Sequence, residues 1–264
     1  SGFGRPSAGR GRRGASGKML EGRPGINGAA SATGPTGKGV RVTAPAVSIG
    51  LPVYDGERYL EAALDAVLSQ TLTDLEVVVS DNASTDATRE ICEARARRDP
   101  RIRYVRQPSN RGAAWNYNET FRLARGRYFK WAPHDDLVAP TFLERCHAAL
   151  EALPPSVVLA YPRMRLIDEA GESLGDYDAP IEWDPATPAS RLRSLLCAPP
   201  DATHLHRCEP VMGLVRRDAL ARTRLIGGYN SADKVTIVEL ALLGDFHRID
   251  ERLAFRREHA GSSQ

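Results

Sequence analysis

Residues 47–86 decide the fold and read VSIGLPVYDGERYLEAALDAVLSQTLTDLEVVVSDNASTD. The apolar run Val47–Val53 is strand-sized, residues 57–70 repeat apolar side chains at helical spacing, and a second β-rich run follows at Leu75–Ser80. An α/β fold is therefore predicted, with a mostly parallel central sheet flanked by helices, because strands that alternate with helices pair in parallel. The alternation continues with a helix over 87–98, a strand over 102–106, a helix over 113–124 and a strand over 127–132.

The alternation loosens beyond Asp136, so we divide the predicted domain, residues 44–264, into a Rossmann-like half, 44–136, and a less regular half, 137–264. A hairpin is predicted around a turn at residues 169–171. Loop is predicted over 176–188, where Asp and Pro are frequent. The remaining elements predicted in this half are helices over 140–153, 189–196, 218–223 and 234–243 and strands over 157–161, 211–216, 246–249 and 253–257.

Residues 1–43 differ from the rest of the chain in composition. They hold 12 of the 23 glycines and have a net charge of +7, although the whole chain has only +3, so residues 44–264 are mildly acidic. Almost no large apolar side chain is present, and we predict that this tail is disordered. Peripheral contact of its arginines with an anionic membrane is one interpretation, and a dispensable leader is the other. No specific nucleic-acid binding is predicted, because aromatic stacking partners are almost absent.

Cysteine usage and hydropathy bear on the compartment. The four cysteines lie far apart and form no CxxC pair, which is typical of ordinary thiols in a reducing compartment. No apolar run approaches the roughly 18–20 residues that span a bilayer. These features predict a cytoplasmic protein, or one at the inner face of the membrane.

Polar side chains follow each of the first three strands. Tyr54, in the turn after the first strand, could stack on a nucleobase, or it could be an ordinary surface tyrosine of a tight turn. Asp81 follows the second strand and could accept an N–H from a pyrimidine ring. Arg111 follows the third strand and could bind a phosphate or a base carbonyl, or it could belong to a solvated turn. Asp86 is better explained as a helix-capping residue.

Two adjacent acids, Asp135 and Asp136, follow the fourth strand. Paired carboxylates repel each other unless a cation lies beside them. Hard oxygen ligands of this kind suit Mg²⁺ or Mn²⁺, which commonly use one or two carboxylates together with substrate phosphates. A solvated acidic turn is the alternative. Zinc is not favoured, because His134 lacks the Cys or His partners that such a site needs.

Taken in order, these clusters resemble the family-2 glycosyltransferases with the GT-A fold. The resemblance is strong over about residues 45–145. It implies that Pro52, Tyr54, Asp81 and Arg111 lie around the nucleoside of the donor. It also implies that Asp135 and Asp136 form a DxD-like metal and diphosphate site, with Asp136 as the direct ligand. Relatives often carry a further Asp two residues before the pair, where this chain has proline. The matching words are VSIGLPVYDG at 47–56, SDNASTD at 80–86, NRG at 110–112 with Asn118, and ARGRY at 124–128 leading to the two acids.

The resemblance also implies a catalytic base in the second half of the chain. Asp233 follows a GGYNSA segment and is the candidate for taking the proton of the acceptor hydroxyl. The alternative is a helix N-cap, since a helix is predicted directly after it. His259 could be an additional metal ligand and Arg256 or Arg257 could meet the diphosphate, unless this is merely a basic surface segment.

These residues together predict an inverting, metal-dependent glycosyltransferase that uses Mn²⁺ or Mg²⁺ and moves a sugar from a nucleoside-diphosphate donor, of the UDP type, to an acceptor hydroxyl. The acceptor could be a glycan, a glycolipid or a metabolite, and residues 163–210 are predicted to form its wall. One alternative is a nucleotidyltransferase that makes sugar nucleotides, and another is a non-catalytic sugar-nucleotide-binding protein. A Rossmann oxidoreductase is not favoured, because no GxGxxG follows the first strand.

Overall fold

The strands and helices were assigned on a computed structural model, which describes residues 44–177, 183, 185–196 and 209–260. The predicted tail, residues 1–43, lies outside the described residues, as do Cys197 and Cys208. Cys92 and Cys146 are buried free thiols, as the sequence predicts. Within the described ranges, no helix has the length and apolar character needed to cross a bilayer.

The Rossmann-like half follows the predicted alternation closely. Each element ends within three residues of its predicted bounds, because strong apolar patterns and turn residues mark both ends of every segment. The elements are β1 Val47–Val53, α1 Leu60–Leu68, β2 Leu75–Asp81, α2 Thr88–Arg98, β3 Ile102–Arg106, α3 Ala113–Leu123 and β4 Tyr128–Trp131.

The second half contains all of the predicted helices but arranges its strands differently. One long strand replaces the two that were predicted over 246–249 and 253–257, because it follows β6 in parallel through several shifts of register. A 3₁₀ helix, Glu209–Met212, occupies part of the strand predicted over 211–216. The elements are β5 Leu137–Val138, α4 Phe142–Ala152, β6 Val157–Ile167, β7 Ser173–Tyr177, α5 Pro188–Leu196, β8 Leu214–Arg216, α6 Arg217–Leu220, α7 Ala232–Leu243 and β9 Asp245–Arg257.

All of the strands described join one mixed sheet in the order β3-β2-β1-β4-β8-β6-β9-β5, with β7 paired to β6. The strands β3, β2, β1 and β4 are parallel. The short strand β8 runs antiparallel to both β4 and β6, and so joins this parallel part to the parallel pair β6 and β9. The sheet is therefore continuous across both halves of the chain.

The core covers both faces of the sheet. Every residue of β1, β2 and β4 is buried, as expected of strands that are covered by helices on two sides. One cluster packs α1 and α4 against the first face, and a second packs α3 and α7 against the opposite face. The carboxyl ends of β1, β2, β3 and β4 therefore open at one edge of a rigid support.

Candidate functional site

The turns after the parallel strands meet at this carboxyl edge and are tied together. The backbone N–H of Asp55 donates to Ser84 Oγ over 3.0 Å, which joins the turn after β1 to the turn after β2. The backbone N–H of Arg111 donates to Asn82 Oδ1 over 2.9 Å, which joins the turn after β3 to the same segment. The predicted clusters thus form one continuous rim.

Tyr54 and Pro52 lie where the first turn leaves β1. The side chain of Tyr54 is 43% exposed at the mouth of the sheet. Pro52 is buried within the strand, opposite Ser80 of β2. The Tyr54 ring is therefore accessible to a planar ligand, while Pro52 is part of the buried strand.

Asp81 is the last residue of β2 and is fully buried, instead of standing in the turn after the strand. Its Oδ1 accepts the backbone N–H of Ser84 over 2.8 Å, and its Oδ2 accepts the hydroxyl of Tyr104 over 2.7 Å. Arg106 Nε lies 3.3 Å from the same Oδ2. Asp81 therefore holds the turn after β2 against β3. A nucleobase N–H could bind only to carboxylate lone pairs that are not already used by Ser84, Tyr104 and Arg106.

Arg111 is exposed on the rim, and its guanidinium lies 4.0 Å from the ring centroid of Trp115. A cation held over an indole face has a restricted orientation. Trp115 is a residue that the sequence analysis did not select. The sequence feature that could have indicated this contact is an aromatic side chain four residues after an arginine, in the first turn of a helix.

Asp135 and Asp136 lie after β4 and are held by the end of β9. The backbone N–H of Arg257 donates to Asp136 Oδ1 over 3.0 Å. Its guanidinium Nε donates to the carbonyl of Asp135 over 3.0 Å, and its Nη1 donates to the carbonyls of Asp168 and Glu169 over 2.9 Å each. The Arg257 guanidinium is thus committed to fixing the acidic loop, which argues against the prediction that it meets the diphosphate.

His259 lies beside the acidic pair, with Nε2 3.0 Å from Asp135 Oδ2. Burial and the neighbouring charge of Asp135 raise the pKa of Asp136 to about 7. Two neighbouring carboxylates that are largely shielded from solvent repel each other, so a positive charge beside them stabilises their ionised forms. The charge of Arg256 has this effect, since it lowers the pKa of Asp136.

The carboxylate oxygens of the acidic pair fit a divalent ion that takes its remaining ligands from the substrate. Among the residues that the structure describes, no three His, Cys, Asp or Glu side chains are arranged to hold an ion by themselves. Mg²⁺ and Mn²⁺ need no such cage, because they commonly combine one or two carboxylates with substrate phosphates. Asp135 and Asp136 supply those carboxylates. His259 contacts Asp135, but it does not form a three-ligand group with the pair.

Asp233 lies in the first turn of α7, and its Oδ1 accepts the backbone N–H of Lys234 over 2.9 Å. The N-cap of α7 is Ser231, with φ of 61°, so Asp233 is not the capping residue that the alternative interpretation required. Burial and then the charges of Asp135, Asp136 and Asp233 raise the pKa of Tyr117. The charge of Asp233 thus acts on the same phenol as the charges of the adjacent pair Asp135 and Asp136, although it lies far from them in the chain.

The structure also explains residues of the site region that the sequence analysis treated as incidental. Asp86 accepts the backbone N–H of Thr88 with Oδ1 and that of Glu57 with Oδ2, but the N-cap of α2 is Ala87, so Asp86 lies one residue before the cap. His134 packs against Gly56, and burial lowers the pKa of its imidazole. His204 and His206 lie outside the described residues.

With the geometry established, the chain can be compared with known proteins. The model for glycosyl transferase family 2 matches residues 48–223, which is two thirds of the 264 residues. The chain belongs to this family. The resemblance that the sequence motifs indicated is thereby confirmed, and the matched region includes β1 to β4 and the acidic pair.

Curated relatives of this family-2 glycosyltransferase match it over about half of its length. Chondroitin synthase from Escherichia coli is 35% identical over 140 residues, which cover 52% of this chain and 20% of that protein. The glycosyltransferase GlyG from Streptococcus pneumoniae is 30% identical over 113 residues, which cover 43% of this chain and 38% of that protein. The aligned region is therefore a minor part of each relative.

Solved structures confirm the GT-A fold of this family-2 glycosyltransferase. Residues 1–349 of TarS from S. aureus, in complex with UDP-GlcNAc, superpose with a TM-score of 0.64 at 18% identity, covering 82% of this chain and 59% of that one. Mannosyltransferase PcManGT from Pyrobaculum calidifontis, in complex with GDP-Man and Mn²⁺, gives a TM-score of 0.58 at 20% identity, covering 81% of this chain and 57% of that one. At such identities the likeness is one of fold.

Proposed function

We propose that this chain is an inverting, metal-dependent glycosyltransferase that transfers a sugar from a nucleoside-diphosphate donor, of the UDP type, to an acceptor hydroxyl. The observation that carries the proposal is the acidic pair after β4, where the backbone N–H of Arg257 binds the Asp136 carboxylate and His259 lies 3.0 Å from Asp135. A metal held by this pair would offset the charge of a leaving diphosphate, and Asp233 is a separate carboxylate that can take the proton of the acceptor hydroxyl.

The donor side of the proposal rests on the rim residues and on the relatives. Tyr54 offers an exposed ring to the base, and Arg111 offers a guanidinium to a phosphate or a base carbonyl. TarS was solved with UDP and with UDP-GlcNAc, and PcManGT with GDP-Man. We therefore propose a nucleotide sugar as donor and place its diphosphate beside Asp135 and Asp136.

In the proposed reaction, the acceptor oxygen attacks the anomeric carbon on the face opposite the diphosphate. The new carbon–oxygen bond forms as the bond to the phosphate oxygen breaks, and its electron pair leaves with the nucleoside diphosphate. Asp233 takes the proton of the acceptor hydroxyl. Asp135 and Asp136 would hold Mn²⁺ or Mg²⁺, which offsets the charge of the leaving diphosphate. Arg257 holds the Asp136 carboxylate through its backbone N–H and the main-chain carbonyl of Asp135 through its guanidinium.

The acceptor side is proposed for the second half of the chain. The end of β6 from residue 163 onward, the hairpin turn and β7 lie within residues 163–210, the region predicted to form the acceptor wall. Its turn is fixed to the acidic loop through Arg257, whose guanidinium donates to the carbonyls of Asp168 and Glu169. Residues 178–182, 184 and 197–208 of this wall lie outside the described residues. A glycan, a glycolipid or a metabolite with a free hydroxyl would be the acceptor.

A panel of thermal shifts tests the proposal. We expect UDP with Mn²⁺ to raise the melting temperature more than UDP alone, and Asp136→Ala to abolish the metal-dependent part while the variant stays folded. Asp74→Ala is the matched control, because this exposed acid precedes β2 at the opposite edge of the sheet. An unchanged metal effect in folded Asp136→Ala would overturn the metal site. Metal-dependent UDP binding without turnover of UDP-GlcNAc or GDP-mannose would favour the non-catalytic alternative.

A further inference from the structure

Asn118 of α3 binds both main-chain groups of one residue that is far away in the sequence. Its Nδ2 donates to the carbonyl of Ile226 over 2.8 Å, and its Oδ1 accepts the backbone N–H of Ile226 over 3.0 Å. A side-chain amide that binds both the N–H and the C=O of one residue fixes the position and the orientation of that residue. Ile226 directly precedes the segment Gly227–Ala232, which leads to Asp233.

The same segment is held from its other side by α7. Thr236 Oγ1 donates to the carbonyl of Leu225 over 2.9 Å, and the backbone N–H of Arg224 donates to Glu239 Oε2 over 2.7 Å. Leu225 has a φ of 61°, a conformation that costs free energy in a branched apolar residue and needs support from its neighbours. Residues 224–226 are thus clamped between α3 and α7.

The other contacts of α3 belong to the donor side of the cleft. Asn116, two residues before Asn118, donates from Nδ2 to the carbonyl of Ser80 over 2.8 Å and accepts the Ser80 hydroxyl over 2.6 Å. Ser80 precedes Asp81 at the end of β2. The helix therefore connects the strand ends that form the donor side to the segment that carries the proposed base.

We propose that Asn118 is a positioning residue that sets the place of Asp233 relative to the donor. It acts through Ile226 and the short segment that follows. This inference rests on the proposed function, because Asp233 is the proposed base. A displacement of about 1 Å of a reacting group can cost about 100-fold in rate, so losing the clamp should be visible in turnover.

The test uses Asn118→Ala and turnover of UDP-GlcNAc or GDP-mannose with water as acceptor. We expect kcat to fall by about 10- to 100-fold, while the Kd for UDP with Mn²⁺ changes by less than about two-fold, since the donor side keeps its contacts. In the background of Asp233→Asn, the same change should lower kcat by less than about two-fold, because residues that act as a unit are not additive. An additive loss, or a matching loss of UDP affinity, would overturn the inference.

Hydrogen exchange gives a readout that does not depend on turnover. The amide of Ile226 should lose protection in Asn118→Ala, while the amides of β1 and β2 keep theirs. Asn118→Asp is the second variant: it retains an acceptor for the Ile226 N–H, loses the donor to the carbonyl, and should also lower kcat. Retained protection of Ile226 in Asn118→Ala would contradict the clamp.

Gln70→Ala is the matched control for loss of a bridging amide. Gln70 Nε2 donates to the carbonyl of Ala139 over 2.8 Å, and its Oε1 accepts the backbone N–H of Leu143 over 2.9 Å, after the carboxyl end of α1. It should lower the melting temperature without lowering kcat of the folded fraction. Equal losses of kcat in both variants would reduce Asn118 to a stabilising contact. A wild type that binds no UDP and turns over neither donor would overturn the proposed function and this inference with it.

Discussion

Three aspartates of the cleft are held in three different ways. Asp81 is enclosed by Ser84, Tyr104 and Arg106. Asp136 keeps one bond to main chain and has a pKa raised by burial and by Asp135. The Asp233 carboxylate accepts the backbone N–H of the next residue. Asp81 therefore supports the turn after β2, while cation binding by Asp136 and proton transfer by Asp233 are the roles proposed above.

At the same scale, Asp233→Asn tests the proposed base. The amide keeps the size of the side chain and an acceptor for the Lys234 N–H, but it cannot take a proton. We expect kcat to fall by about 10²–10⁴, with near-normal affinity for UDP and an unchanged melting temperature. Asp218→Asn is the control, since Asp218 makes the same contact to the next N–H in the first turn of α6, over 2.9 Å. Full activity of Asp233→Asn would show that another group takes the proton.

At the scale of elements, α3 connects the two sides of the cleft. It carries Trp115 under Arg111, Asn116 against the end of β2, and Asn118 against Ile226. Its approach to β1 is close, because a Cβ on Gly50 would lie 2.6 Å from Phe129 Cζ and would also meet Thr120. The helix therefore packs directly on the strand, and the position of the rim depends on this packing.

The turn between α3 and β4 offers a test of that packing. A Cβ on Gly126 would lie 2.6 Å from the backbone nitrogen of Ser48 and 2.8 Å from the carbonyl carbon of Val47. Main-chain atoms of a central strand cannot move aside easily, so Gly126→Ala should lower the free energy of unfolding by about 1–3 kcal/mol. Urea unfolding measures this. Gly228→Ala is the control, with no atom within 4 Å of the added Cβ, and a similar loss there would contradict the argument.

At the scale of the whole molecule, a buried carboxylate, Glu76, links several segments at the edge of the sheet opposite the candidate site. Glu76 Oε1 accepts the Ser48 hydroxyl over 2.6 Å and the backbone N–H of Arg125 over 2.8 Å, and its Oε2 accepts the Arg125 guanidinium. Burial by itself would raise the pKa of Glu76, but the hydrogen bonds from Ser48 and Arg125 outweigh it and hold the pKa below its usual 4.5. This network joins β1, β2 and the turn before β4.

The pH dependence of stability should report this network. A carboxyl whose pKa is lower in the folded state stabilises the fold above its unfolded pKa, and this contribution is lost as pH falls through the folded value. Glu76→Gln should therefore cost about 1–3 kcal/mol at pH 7, and the difference from wild type should shrink below about pH 4.5. Unfolding by urea at pH 7 and pH 4 measures it. Glu172→Gln, on the exposed turn of the hairpin, should show no such difference.

The sequence by itself determined the parallel half of the sheet and the place of the site. Runs such as Val47–Val53 and Leu75–Asp81 are apolar throughout because helices cover both faces, so local pattern suffices to identify them. The turn after each strand carries polar residues, and parallel strands end at one edge. The rim with Tyr54, Arg111 and the acidic pair follows from these facts.

Only the tertiary structure decided which partner each polar group of the site has. Arg257 holds Asp135 and Asp136 from 122 and 121 residues away, and Asn118 holds Ile226 across 108 residues. The pairing with β6 likewise makes β9 one strand where the sequence pattern predicts two. Apolar periodicity records which face of a segment is buried and not which distant segment covers it. Contacts between polar groups far apart in the chain therefore exist only once the whole sheet has assembled.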